Sequence, residues 1–335
     1  MNKQSLNPRV SVLMSVYNTP GDYLREAIDS VINQTYENFE FIIIDDNSNY
    51  KTKEILNHYK SDSRVLIVEN DNNLGLTKNL NKALSLSKGD YIARMDADDV
   101  CDLLRFQKQV EYLDNNPSIA MVGTFYTLFD SHSHKQIKHK NEGVVPIEVK
   151  TSLFFSNSSI MHSSVMMRHS IFNIECGLHY DENFPKSQDF ELWSRASHTV
   201  DISIIPEYLM FYRLSDNQVS RVASSEQIQL KQLILIRQLS FLIDTVNDYQ
   251  KQLHCNFCIG EKVNSAKSVS NWACLLINLN KEKQLYPEII YNYYVARRAL
   301  KSAVKSCVSF SDGFSVITII FLFVVSKFKY FYRAL

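Results

Sequence analysis

An excess of charge of either sign is missing from this chain. Its 335 residues carry 36 Lys and Arg against 36 Asp and Glu, so no long-range field marks a nucleic-acid binder and any electrostatic specialisation has to be local. Residues Met1 to Arg9 lack the apolar stretch of a secretory signal, which sets the expectation of a cytoplasmic chain. Cysteine is sparse: of Cys101, Cys176, Cys255, Cys258, Cys274 and Cys307, only Cys255 and Cys258 form a C-x-x-C. Without a second such pair, His254 is the one neighbour that could help them hold a structural zinc, and disulfides do not suit a cytoplasmic chain. No G-x-G-x-x-G follows the first apolar run and no G-x-x-x-x-G-K-[ST] occurs, so neither a dinucleotide fold nor a P-loop NTPase is supported. The apolar run Phe314 to Val325 is shorter than the ~20 residues a spanning helix needs.

What is present is a regular alternation. Val10 to Val16 is an apolar run closed by Tyr17-Asn18-Thr19-Pro20-Gly21, and Tyr23, Leu24, Ala27, Ile28, Val31 and Ile32 then recur at helical spacing. Phe39 to Ile44 is a second run, closed by Asp45-Asp46-Asn47-Ser48, and Val65 to Val68 a third. Helical patterns at Ile55, Leu56 and Tyr59, and from Leu76 to Leu86, separate these from Tyr91-Ile92-Ala93. This β-α-β rhythm predicts a parallel sheet whose ligands gather beyond the carboxyl ends of the strands. A chain of this length calls for one large α/β domain and a smaller appendage.

Acids cluster at those strand ends. Asp96, Asp98 and Asp99 stand within four positions after the Tyr91 run, and such a group repels itself unless a cation or hydrogen-bond donors compensate it. A divalent ion with oxygen ligands, Mg²⁺ or Mn²⁺, is one solution, with a substrate phosphate filling its other positions. The plainer alternative is an acidic turn in which Asp99 or Asp102 caps the helix suggested by Leu103, Leu104, Phe106, Val110 and Leu113. Asp46 could accept the N–H of a pyrimidine base, or its stretch could be a plain Asx turn.

Taken in order, these motifs resemble the N-terminal half of family 2 glycosyltransferases. The matching segments are Val10 to Asn18, Ser30 to Tyr36, Asp45 to Ser48, Asn73-Leu74-Gly75-Leu76, Asn81, Lys88 to Ala93, and Asp96-Ala97-Asp98-Asp99 with Arg105 and Gln107 behind it. The resemblance runs from about residue 8 to about residue 215. It implies an α/β GT-A domain over 8–218, with a donor half at 8–125 and an acceptor half at 126–218; it does not extend to 219–335, which reads as mainly helical from its own spacing. It implies that Asp96 and Asp98 form the D-x-D element, meeting the ribose and the metal-bound diphosphate of a UDP-sugar, with Mn²⁺ or Mg²⁺ as cofactor. Ser15, Tyr17, Asp46 and Asn73 would complete the nucleotide site.

Met121 to Thr124 reads as a further strand and Asp130 to Gly143 as a hairpin or mobile loop. His132, His134 and His139 within it could suggest a metal, but alternating with Ser, Lys and Gln they read better as a solvated face. Ile160 to Arg168 resembles the family's strand in which a His precedes the turn back to the donor, which makes His162 a site candidate. Ser187 to Trp193 resembles its acidic-aromatic motif at the start of a helix, which makes Asp189 the catalytic base. Asp189 could also simply cap that helix. Trp193 and Phe190 could stack on a sugar, although that spacing also suits core residues. Three positions depart from the family: Leu103 and Ser163 stand where relatives often carry proline, and Gln188 where they carry an acid.

Beyond about residue 220 helical spacing recurs from Ile228 to Leu242, around Trp272 to Leu279, and from Glu288 to Val304. Basic residues Arg297, Arg298, Lys301, Lys305, Lys327, Lys329 and Arg333 flank Phe314 to Val325, with Phe328, Tyr330, Phe331 and Tyr332 behind it. Residues 314–333 therefore read as an interfacial anchor on an anionic leaflet, or as a helix packing on the chain or on a second copy in a homodimer. The whole reads as a metal-dependent inverting glycosyltransferase at the inner face of the plasma membrane. It would act on a lipid-linked glycan in bacterial surface-polysaccharide synthesis. A nucleotidyltransferase acting on a sugar phosphate is the alternative, but Met14 to Gly21 lacks the glycine- and basic-rich phosphate loop it needs. A decayed member that only binds is opposed by the intact Asp46, Asp96, Asp98 and Asp189.

Overall fold

The computed structural model describes residues 7–130, 135–173, 177–214, 224–261, 263, 265–306 and 324–325. The chain forms two compact units, Met1–Pro146 with Ser158–Gln227, and Ile147–Asn157 with Ile228–Leu335.

The first unit opens with β1 (Val10–Val16), α1 (Gly21–Ile32), β2 (Phe39–Asp45), α2 (Tyr50–Tyr59), β3 (Val65–Glu69), α3 (Leu76–Leu86) and β4 (Tyr91–Arg94). Strands β3, β2, β1 and β4 lie side by side and parallel. Helices cover such a sheet on both faces, so β1 and β2 read as continuous apolar runs rather than alternating ones. Val10, Val12, Met14, Phe41 and Ile43 meet one core together with the buried stripe Leu24, Ala27, Ile28 and Val31 of α1. Gly89 has to be glycine just before β4, because a Cβ there would lie 2.7 Å from the Ser11 amide nitrogen.

After β4 come β5 (Val100–Cys101), α4 (Arg105–Asn115), β6 (Ile119–Asp130) and β7 (Gln136–His139). Strand β6 is far longer than the four residues the sequence suggested, and with β7 it makes the expected hairpin. His139 stacks on Tyr126 there, centroids 4.7 Å apart; His132 and His134 lie outside the described residues. Strand β8 is only Met166–Arg168, antiparallel to β4 and β6. His162 is therefore not in a strand, and that expectation is corrected: residues His162–Ser164 form a 3₁₀ turn, closed when the Ser164 and Val165 amides donate to the Met161 and His162 carbonyls. Helix α6 (Gln188–Ala196) and β9 (Asp201–Leu214) complete the layer, β9 running parallel to β6 and antiparallel to β5.

The second unit takes most of α5 (Pro146–Leu153) and α7 (Ser225–Leu239), with α8 (Asp248–Ile259), α9 (Ala266–Lys283) and α10 (Glu288–Ser306). Its core is aromatic: Phe154 packs edge-on against Phe155, His254, Tyr286 and Tyr291. The zinc idea is corrected here. Trp272 Nε1 donates to His254 Nδ1 at 3.4 Å, the Cys258 thiol lies 3.4 Å from His254 Nε2, and Cys255 donates weakly to the Gln232 carbonyl. Burial pushes the Cys255 thiol up to about 11 and Cys258 further still, and among the described residues no group of three or more His, Cys, Asp or Glu is arranged to hold a metal ion. Among the described residues no helix is long and apolar enough to cross a membrane. Apart from 324–325, the segment 314–333 lies outside those residues.

Candidate active site

The part of the site expected to take the nucleotide is built where β1 and β2 end. Asp45 makes the Asx turn anticipated for this stretch, its Oδ1 accepting the Ser48 amide at 3.0 Å. Asp46 is turned instead into the loop before α3. Its Oδ1 accepts Asn70 Nδ2 at 2.8 Å and the Leu74 amide at 2.7 Å, and its Oδ2 accepts the Gly75 amide at 2.9 Å. Burial alone would raise this carboxyl, but those donors and Asn79 outweigh it and hold it below its ordinary range. The same Asn70 Nδ2 reaches Asn79 Oδ1 at 2.8 Å, and Asn79 Nδ2 donates to Ser15 Oγ at 2.9 Å. Ser15, Asp46 and the start of α3 are thus one buried polar network. Tyr17, 54% exposed, and Asn73, also exposed, flank it on their loops.

At the end of β4 the acids divide their work. Asp102 does not cap α4, whose N-cap position is Leu104 without a side-chain capping bond; it makes an Asx turn just ahead of the helix, its Oδ1 accepting the Leu104 amide at 2.9 Å. Asp99 does not cap; it is wholly buried, with Ser163 Oγ donating to Oδ2 at 2.6 Å and the Arg213 amide to Oδ1 at 3.0 Å. Ser163, one of the departures from the family pattern, thereby ties the His162 turn to the acidic loop. Asp96 pairs with the buried Arg94 guanidinium. Asp98 is pushed up to about 6, first by burial and then by the neighbouring Asp96. A buried carboxyl crowded by a neighbouring carboxylate is suited to a cation that offsets the charge. Yet among the described residues no group of three or more His, Cys, Asp or Glu could hold a metal by itself. The donor set fits an ion that takes one or two carboxylates here and its remaining ligands from a substrate diphosphate.

On the other side stand His162, Tyr180 and α6. His162 Nε2 and the Tyr180 hydroxyl are 2.9 Å apart. Burial, and then the Arg94 charge, hold the imidazole well below its usual range, so it is neutral at physiological pH. Tyr180 is fixed through its backbone, its N–H donating to Asn81 Oδ1 and its carbonyl accepting Asn81 Nδ2. Burial raises its hydroxyl well above the ordinary range, with Arg94 opposing the rise and Asp189 and Asp96 adding to it. Asp189 is half-buried in that first turn, while the N-cap position belongs to Ser187, in the left-handed region at φ +62°. Glu191, two residues on in the same turn, is committed to Arg195. Trp193 and Phe190 have next to no exposed surface; both are core, with Trp193 edge-on to the His162 ring, and neither offers a face to a sugar. Arg94, Asn79, Tyr180 and Arg213 escaped the sequence reading. Arg94 alone left a signal, a charged residue inside an otherwise apolar run.

Comparison with known proteins decides the family. The sequence family described as "Glycosyl transferase family 2" matches residues 11–174. An uncharacterized glycosyltransferase of Methanocaldococcus jannaschii is 37% identical over 220 residues, covering 64% of this chain and 74% of the relative. The chain belongs to glycosyl transferase family 2. A second uncharacterized glycosyltransferase, from Haemophilus influenzae, is 29% identical over 304 residues and covers 86% of each chain. Among solved structures, Staphylococcus aureus TarS residues 1–349 in complex with UDP-GlcNAc superposes with a TM-score of 0.59 at 15% identity, covering 96% of this chain and 91% of that one. This likeness shows a GT-A fold with a helical C-terminal region. The family 2 chain is an enzyme, a glycosyltransferase of the nucleotide-sugar type.

Proposed function

We propose that this family 2 enzyme is a metal-dependent, inverting transferase that moves a sugar from a UDP-sugar onto a hydroxyl of a lipid-linked glycan. The observation that carries the reading is a chain of contacts from the acidic loop to α6: Ser163 Oγ donates to Asp99 at 2.6 Å, and the adjacent His162 lies 2.9 Å from the Tyr180 hydroxyl and edge-on to Trp193. A leaving-group side at the acidic loop and a base side at α6 would then serve one sugar. Binding of UDP-GlcNAc by TarS supports a uridine donor.

In this reading Ser15, Tyr17, Asn73 and Asp46 receive the uridine, the spare lone pair on Asp46 Oδ2 accepting from the base. Asp98, with Asp96, would hold Mn²⁺ or Mg²⁺, which when bound stabilises the charge that develops on the departing diphosphate. Asp96 is oriented by its ion pair with Arg94. Asp189 takes the proton from the acceptor hydroxyl as its oxygen bonds to the anomeric carbon from the face opposite the diphosphate. The bond from that carbon to the phosphate oxygen breaks with its electron pair going to the diphosphate, so configuration inverts. Neutral His162 can accept or donate a hydrogen bond to a sugar hydroxyl without adding charge.

Replacing Asp189 by Asn tests the assignment, because the amide keeps the shape and cannot take the proton. We expect UDP affinity to stay nearly unchanged and turnover to drop by about 10² or more, the scale of a lost general base. Turnover equal to wild type would place the base elsewhere. A screen of nucleotide-sugars for hydrolysis supplies the donor for that assay.

A further inference from the structure

We infer that Arg213 is a positioning residue for the Asp96–Asp99 loop, so that the metal-dependent part of nucleotide binding depends on an arginine that touches neither metal nor nucleotide. This rests on the metal-bound diphosphate reading above. The loop joins β4 to the two-residue strand β5, and it has to present Asp98 with the tight tolerance that coordination demands. Arg213, near the end of β9, supplies much of that rigidity. Its Nε donates to the Asp98 carbonyl at 2.7 Å, and its backbone N–H donates to Asp99 Oδ1 at 3.0 Å. Backbone and side chain of one residue thus grip two successive loop residues.

The grip is itself braced. The Arg213 side chain is 1% exposed, and its guanidinium carbon lies 4.2 Å from the Tyr23 ring centre and 4.5 Å from that of Phe129. Nη2 pairs with Glu26 on α1 at 2.5 Å. Sandwiched between two rings and forked between a carbonyl and a carboxylate, the plane has a single orientation. A lysine could keep the charge but could neither stack as a plane nor span Asp98 and Glu26 together. Glu26 is 54% exposed, so its loss would loosen the brace while leaving the core intact.

The test compares UDP binding by calorimetry with and without Mn²⁺ for wild type, Arg213→Lys and Glu26→Gln, alongside thermal unfolding. We expect Arg213→Lys to weaken UDP binding about fivefold or more when Mn²⁺ is present and by less than about twofold when it is absent, with a smaller change of the same kind in Glu26→Gln. A merely structural role would lower the melting temperature and leave the ratio of the two affinities unchanged, which would overturn the inference. If Arg213→Lys does not unfold cooperatively, Glu26→Gln carries the test, and a wild-type ratio in that variant overturns it equally. Absence of any Mn²⁺ effect in wild type would refute the metal reading together with this one, whereas an effect retained in full by the variants would refute this one alone.

Discussion

Asp46 is surrounded by donors that suit only a carboxylate. An amide in its place would turn an N–H₂ toward either the Leu74 and Asn70 donors or the Gly75 donor, so Asp46→Asn should cost about 1.5–3 kcal/mol at neutral pH, the range for losing hydrogen bonds to a charged group. The sign of the pH dependence follows from the lowered carboxyl. A folded-state value below the unfolded one gives stability that is present above the unfolded value of about 4 and lost as pH falls through the folded one. Denaturant unfolding of wild type and variant should therefore converge below about pH 4; a constant gap would assign the cost to shape alone. Tyr180→Phe makes a second test at this scale. It deprives His162 Nε2 of its partner and should destabilise by about 1–3 kcal/mol; equal stability would show that water replaces the hydroxyl without loss.

The elements of the donor half were legible because each is a self-contained pattern. A run such as Phe39–Asp45 is buried except for the half-buried Glu40, and a stripe such as Leu24, Ala27, Ile28 and Val31 repeats at helical spacing. The His162 segment misled because Ile160, Val165, Met166 and Met167 are all buried like strand residues, although a turn at His162–Ser164 interrupts them. Helix α8 went unread, since His254, Cys255 and Cys258 drew attention to metal chemistry instead of packing. Tyr180 and Arg213 could not be read at all. Their partners, His162 and Asn81 for one, Asp98 and Glu26 for the other, are distant in sequence and meet only in the folded sheet. The approach of Gly89 to β1 belongs to this scale too. Gly89→Ala should shift or loosen the β1–β4 pairing and cost about 1–3 kcal/mol, as overpacking does, read as a lower denaturant midpoint; an unchanged midpoint would mean that the backbone gives way freely.

At the scale of the whole chain, the account joins a nucleotide-sugar transferase to a basic, apolar C-terminal sequence. Removing Ser311 to Leu335 should abolish flotation with anionic liposomes while UDP binding survives, since Phe314 to Val325 with its basic flanks can add roughly 1 kcal/mol per Lys or Arg near such a surface. Full-length protein that ignores the vesicles would refute the membrane contact; aggregation or loss of a dimer on truncation would favour the packing alternative. The central claim, however, is that the Asp96 and Asp98 carboxylates gain a cation only together with a diphosphate. It is tested most directly by titrating UDP into wild type and Asp98→Ala, each with and without Mn²⁺. Mn²⁺ should strengthen UDP binding to wild type by about tenfold or more, and Asp98→Ala should lose that gain. Affinity for UDP that is the same with and without Mn²⁺ in wild type, or a gain kept in full by Asp98→Ala, would contradict it.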